Sequence, residues 1–250
     1  MKKLAILAAV ALAGCVETVP QSPYPQAPYP YPQAPYPQAP YPAGPVADSG
    51  PVVPPRIAAR NFASVVSRME PVIERECWNL GVGNCDFRIV VDDRPGQPPN
   101  AFQTLDRSGR PIIAFTLPLI AEARNTDELA FVMGHEAAHH IAGHIPRQQQ
   151  EAMTGALIAG VLTAATGADS SAIRGAQNIG GTFGARRFAK DHELEADSLG
   201  TVLAWQAGYD PERGAEFFTR IPDPGNRFLG THPPNASRID TVRRTLAGLR

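Results

Sequence analysis

Fourteen residues, Phe131 to His144, read FVMGHEAAHHIAGH and hold four of the chain's six histidines. Imidazole nitrogens ligate divalent transition metals, so the first question is which of the four could share one ion. Successive residues of an α-helix advance by about 100°, which sets His139 about 40° from His135 and one turn further on. On the same helix His140 and His144 fall about 140° and 180° from His135, off that face. Glu136 follows the first of the pair and completes His-Glu-x-x-His, the spacing of a hydrolytic zinc centre. Such a centre uses three protein ligands, an open position and a carboxylate that takes a proton from water. Glu136 is the candidate general base and not a ligand.

The third ligand must come from elsewhere. One known continuation, HxxGxxH, needs glycine at 142 and histidine at 145. The chain has Ala142 and Ile145, with Gly143 and His144 out of register. The acidic segment His192–Asp197, HELEAD, offers carboxylates instead. Glu193 and Asp197 are four apart and share a helical face, while Glu195 lies about 200° from Glu193. One of the pair can bind a metal while the other holds a ligand imidazole by its remaining N–H.

These residues need elements to position them. Asn125 with Glu128 three residues later is a capping pair, which starts a helix of about twenty residues that Pro146 should stop. HELEAD falls on a second long helix, roughly residues 183–207. Residues 56–78 have helical spacing, with Pro71 expected to divide or kink them. Asp86–Asp93 alternates and is β-branched, and Arg110–Thr116 follows a Ser108-Gly109 turn, so both read as strands. Ala152–Gly167 is apolar and rich in small residues, and reads as a helix packed on the domain or grazing a membrane. Asn235–Leu249 reads as a helical tail.

The combination resembles the M48 peptidases, gluzincins that carry HExxH and ExxAD. It rests on His135-Glu136-Ala137-Ala138-His139 and Glu193-Leu194-Glu195-Ala196-Asp197. Asn100-Ala101-Phe102, Asp127-Glu128-Leu129-Ala130, Ala207-Gly208-Tyr209-Asp210-Pro211 and THPPNASRI (Thr231–Ile239) extend it. The resemblance implies an α+β fold, a mainly helical gluzincin domain with a small β-sheet that carries the substrate-binding edge strand. It makes His135, His139 and Glu193 the ligands of one zinc ion per chain, Glu136 the base and Asp197 the partner of a ligand histidine. His232 matches a histidine that in periplasmic relatives approaches the metal, as a gate or an oxyanion partner, and Arg238 matches an arginine that shapes the site. Ile112–Thr116 corresponds to the edge strand. The element after it, Thr116-Leu117-Pro118-Leu119, departs from the family's glycine-leucine pattern. His140, His144 and His192 are left as structural or surface residues. Some relatives add transmembrane helices or a helical-repeat domain, neither of which is expected here.

The remaining sequence concerns location. MKKLAILAAVALAGC has a basic start, a short apolar run and a terminal Leu-Ala-Gly-Cys that resembles the bacterial lipobox. Residues 1–14 are expected to be a lipoprotein signal peptide and Cys15 the lipidated residue. Val16 after it suggests sorting to the outer membrane. Residues 15–55 continue as a Pro/Tyr-rich stalk, whose polyproline II geometry would reach on the order of 100 Å. Residues 56–250 would be the metalloprotease domain. Once Cys15 is lipidated, Cys77 and Cys85 remain as a disulfide pair suited to an oxidising compartment. A formal charge of −1 with no dense basic block argues against nucleic acid as a partner.

The expectation is a lipid-anchored metalloendopeptidase on the periplasmic side of the bacterial envelope, with protein or peptide substrates and envelope-assembly partners. Two alternatives are an envelope chaperone or scaffold with a self-inhibited site, and a stalk that is itself the binding element.

Overall fold

A computed structural model of the chain describes residues 53–187, 189–223 and 232–250. The expected signal peptide, Cys15 and nearly all of the expected stalk lie outside the described residues.

Helix α1 (Pro55–Asn79) opens with proline in its first turn and buries Ala58, Phe62, Val65, Met69, Val72, Ile73 and Cys77, the spacing of one amphipathic stripe. It runs through Pro71 without dividing. Pro71 and Ser67, whose carbonyl the ring leaves without a helical donor, are both on the solvent side, where water can serve that carbonyl. Cys77 is bonded to Cys85 just beyond the helix end.

Three strands follow: β1 (Arg88–Asp92), β2 (Ala101–Leu105) and β3 (Pro111–Thr116). β3 pairs in parallel with β1 and antiparallel with β2, giving the order β1-β3-β2. The expected edge strand, Ile112–Thr116, is therefore the central one. Its burial is nearly continuous, with Pro111 and Ile113–Thr116 all buried, as a strand covered on both faces requires. β2 was not anticipated as a strand. It closes on β3 through a turn in which the Asp106 carboxylate accepts from the Ser108 and Arg110 N–H groups and Gly109 takes a φ of 85°.

After α2 (Leu117–Glu122), helix α3 (Thr126–Ile141) crosses the middle of the molecule. Asn125 Oδ1 caps it by accepting from Glu128 N at 3.0 Å, a contact worth about 1 kcal/mol. The Glu128 carboxylate is buried and is met by Arg220 Nη1 and Nη2 at 2.8 and 2.5 Å. α3 stops at Gly143, earlier than Pro146, because Gly143 adopts φ 66° and turns the chain into α4 (His144–Ala165).

α4 pairs with α5 (Ser170–Arg187), and their backbones approach through Gly155, Gly180 and Gly184. The outer side of this hairpin exposes Met153, Leu157, Ile158, Val161, Leu162 and Ile179. Among the described residues no helix is long and apolar enough to cross a membrane. The second long helix expected over residues 183–207 is helical at its described residues, in the end of α5 and in α6 (Ala189–Gln206), which carries HELEAD. α7 (Pro211–Ala215), a 3-10 turn (Glu216–Thr219) and α8 (Asn235–Leu249) complete the order. Phe131 of α3 packs with Ala215, Phe218 and Val242 in an apolar cluster that joins the last elements to the central helix.

Candidate metal centre and active site

α3 and α6 bring the two motifs together because both carry glycine where they cross. A Cβ on Gly134 would stand 2.8 Å from the Gly200 carbonyl, and one on Gly200 would stand 2.8 Å from the His135 N. Real Cβ atoms do not sit that close, so these helices approach as far as their backbones allow. Gly200 lies seven residues after Glu193, two turns along the same face.

The consequence is a convergence of ligand atoms. His135, His139 and Glu193 each offer one atom, all within 4.8 Å of one another. The Nε2 atoms of His135 and His139 are 3.1 Å apart. Glu193 Oε2 is 3.6 Å from the first and its Oε1 3.4 Å from the second. Ligand atoms around a tetrahedral zinc with bonds of about 2.0–2.1 Å stand about 3.3 Å apart, so this donor set fits the ion. The imidazoles say the same. His135 Nδ1 is 2.9 Å from Asp197 Oδ1, which puts its proton there and leaves Nε2 bare.

Asp197 is fully buried and is also gripped by Arg238, with Nε donating to Oδ2 at 2.8 Å and Nη2 to Oδ1 at 2.6 Å. The Arg238 guanidinium lies 3.8 Å from the centre of the Phe218 ring, which fixes it from the apolar side. Burial alone would raise the Asp197 carboxyl, but the charge and hydrogen bonds of Arg238 outweigh it and hold the group below its ordinary range. Burial would also raise Glu193. The His232 hydrogen bond and the charges of His135, Arg238 and His139 reverse that and lower it. For His139 burial dominates, with the charge of His135 adding to it, and its pKa falls to about 3. It is therefore neutral at working pH, as a ligand must be.

Glu136, on the same turn as His135, has its pKa raised, chiefly by burial and then despite the charge of His135. The Gln103 backbone N–H reaches its carboxylate. This places β2, and not β3, beside the candidate base. Asn100 O accepts from Thr116 N and Asp106 N donates to Arg110 O, both at 2.9 Å. The alternation then spends the even-numbered backbone groups on β3 and leaves those of Ala101, Gln103 and Leu105 on the free edge.

His232 Nδ1 lies 3.1 Å from Glu193 Oε2, with the side chain about half exposed. His140 is buried, 2.6 Å from the Asn84 carbonyl through Nε2 and edge-on to Phe87. His144 departs from the expectation made for it. It is buried and its Nδ1 stands 2.8 Å from His139 Nδ1, because the turn at Gly143 swings it back toward the ligands. An unbroken helix would have pointed it away. His192 is buried too and stacks on His144 at 4.6 Å. Four participants were missed from sequence: Gly134, Gly200, Gln103 and His144. The two glycines left a signal, since glycine inside a helix weakens it unless something must come close.

Comparison with known proteins accords with this geometry. Residues 60–246 match the family model of peptidase family M48. A Vibrio cholerae protein, provisionally named a beta-barrel assembly-enhancing protease, is 30% identical over 187 residues, covering 69% of this chain and 38% of that protein. The mitochondrial metalloendopeptidase OMA1 of Saccharomyces cerevisiae is 31% identical over 170 residues, 64% of this chain and 47% of that one. The beta-barrel assembly-enhancing protease of Yersinia pestis is 29% identical over 132 residues, 48% of this chain and 27% of that one. The chain thus spans less than half the length of each.

Proposed function

The chain belongs to peptidase family M48, and from that premise we propose that it is a zinc-dependent metalloendopeptidase of the bacterial envelope that cleaves misfolded proteins there. The convergence of His135, His139 and Glu193, with Glu136 on the same turn, is the observation that carries this reading. When bound, zinc supplies a Lewis acid that polarises a carbonyl and acidifies water near neutral pH. Glu136 takes the proton from the attacking water and returns it to the leaving amine. Asp197 and Arg238 keep His135 oriented. An extended peptide pairing with the backbone groups of Ala101 and Leu105 would lie along β2 with a carbonyl beside Glu136. His232 is placed to touch substrate or to cover Glu193.

Residues 1–15 support a signal peptide with lipidation at Cys15, and Val16 supports the outer membrane. The names of the bacterial relatives support envelope-assembly partners. The test is metal content together with cleavage of casein. One zinc per chain, with cleavage abolished by a chelator and restored by zinc, is the expected result. A pure protein that binds no zinc overturns the reading.

The contact of His232 with Glu193 favours a second reading, a chaperone or scaffold whose peptidase site is self-inhibited. His232→Ala should then raise cleavage several-fold. If His232 serves the oxyanion, the same change lowers it.

A further inference from the structure

Each ligand imidazole has a second nitrogen that must be held. Asp197 does this for His135. For His139 the neighbour is another histidine, and the chain does not end there. His144 Nδ1 is 2.8 Å from His139 Nδ1, and His144 Nε2 is 3.2 Å from Glu195 Oε2. Arg147 Nη1 donates to the same Glu195 oxygen at 2.8 Å. His192 lies flat against the His144 ring, with 11° between the planes, and closes its other face.

The proton positions follow from the ligand role. His139 turns Nε2 toward His135 and Glu193, so a neutral His139 that gives this nitrogen to a metal carries its proton on Nδ1. That proton can only be donated to a bare Nδ1 on His144. His144 then keeps its own proton on Nε2 and donates it to Glu195, whose charge Arg147 holds in place. The reverse direction would leave His139 without any proton. The arrangement depends on two local features: Gly143, whose left-handed backbone redirects His144, and the position of Glu195 about 200° round α6 from Glu193. Glu195 thus faces α4 while Glu193 faces α3.

We propose that His144, Glu195 and Arg147 form a positioning relay that fixes the tautomer and orientation of His139 and so sets the affinity of the site for zinc. The proposal rests on the metallopeptidase reading above. It gives the otherwise unused acidic residue of HELEAD a task, and it assigns the two ligand histidines unequal supports. His135 is backed directly by a buried carboxylate, and His139 through an intervening imidazole. Loss of groups that hold a metal-binding histidine costs about 10–100-fold in affinity.

The experiment is zinc affinity by competition with a chromophoric chelator on the full chain, with thermal unfolding of the zinc-free form measured in parallel. His144→Leu keeps bulk and removes the acceptor, and should weaken zinc 10–100-fold. His144→Asn offers Oδ1 near the place of Nδ1, and should stay within about fivefold of wild type. Glu195→Ala should fall between the two. The cobalt-substituted His144→Leu protein should also show a shifted visible spectrum, because the His139 ring is no longer fixed. His144→Leu binding zinc as tightly as wild type overturns the relay. So does His144→Asn binding as weakly as His144→Leu, since that would make the residue a packing element only. A His139→Ala chain that still binds one zinc with wild-type affinity would instead overturn the underlying metal site, so the two failures are distinguishable.

Discussion

Gly134 and Gly200 meet where α3 crosses α6, and a Cβ on either one would run into the backbone of the opposite helix. Gly134 immediately precedes the first candidate ligand, and Gly200 lies three residues after Asp197. The contact sets how close Glu193 and Asp197 come to His135. The candidate metal centre is therefore built by backbone approach as much as by the candidate ligands themselves.

Gly200→Ala tests this. The added methyl meets the His135 N and Cα and the Gly134 carbonyl carbon, all backbone atoms that cannot swing aside. The helices must separate, at a cost of about 1–3 kcal/mol in stability. Thermal unfolding should shift down by several degrees, and zinc affinity should fall more than tenfold. A variant with wild-type zinc affinity would show that the helix spacing does not govern the site.

Glu136→Gln separates metal binding from chemistry. The amide has nearly the same shape and no basic oxygen, and Glu136 is not among the three converging atoms. Zinc should bind with wild-type affinity while casein cleavage falls by at least about a hundredfold, the contribution of a general base. Retained cleavage in the zinc-loaded variant would remove Glu136 from the mechanism.

Much of this site was legible because helical geometry is local. The step of 100° per residue paired His135 with His139 and Glu193 with Asp197 without any knowledge of the fold. It misled at His144 for the same reason: the calculation assumed one unbroken helix, and a single left-handed glycine invalidated it. Ile112–Thr116 was identified as a strand from its β-branched run, but its central place depends on which strands pair with it, a non-local fact. Its apolar continuity was the available clue, since a free edge beside a polar site rarely reads Ile-Ile-Ala-Phe. β2 was hidden because AFQTL is short and follows a proline-rich loop. The meeting of α3 with α6 could not be placed either, although glycines inside both helices marked a close approach.

The zinc-free fold should report the burial of Glu136. Burial raises its pKa, so in that form the carboxylate is charged above the raised value and is protonated as pH falls through it. The same shift makes the charged side chain a burden on the zinc-free fold at neutral pH. Zinc-free Glu136→Gln should unfold at a higher temperature than zinc-free wild type at pH 7.5, and the gap should close below about pH 4, where both folded and unfolded glutamates are protonated. Equal melting temperatures at pH 7.5 would contradict the direction of the shift.

Cys77 and Cys85 close a short loop that carries Asn84 onto His140 and Phe87 against the same ring. A loop of about nine residues restricts the unfolded chain by about 2–3 kcal/mol. Replacing both cysteines with serine should lower the melting temperature by roughly 5–10 °C for a domain of this size. Reductant should produce the same fall in the wild type and none in the variant. Zinc affinity should change by less than about threefold, because the loop meets α3 at His140, which points about 100° away from His139 on the helix. A large loss of zinc binding on reduction would instead mean that the loop braces the ligand helix, and that His140 transmits its position to His139.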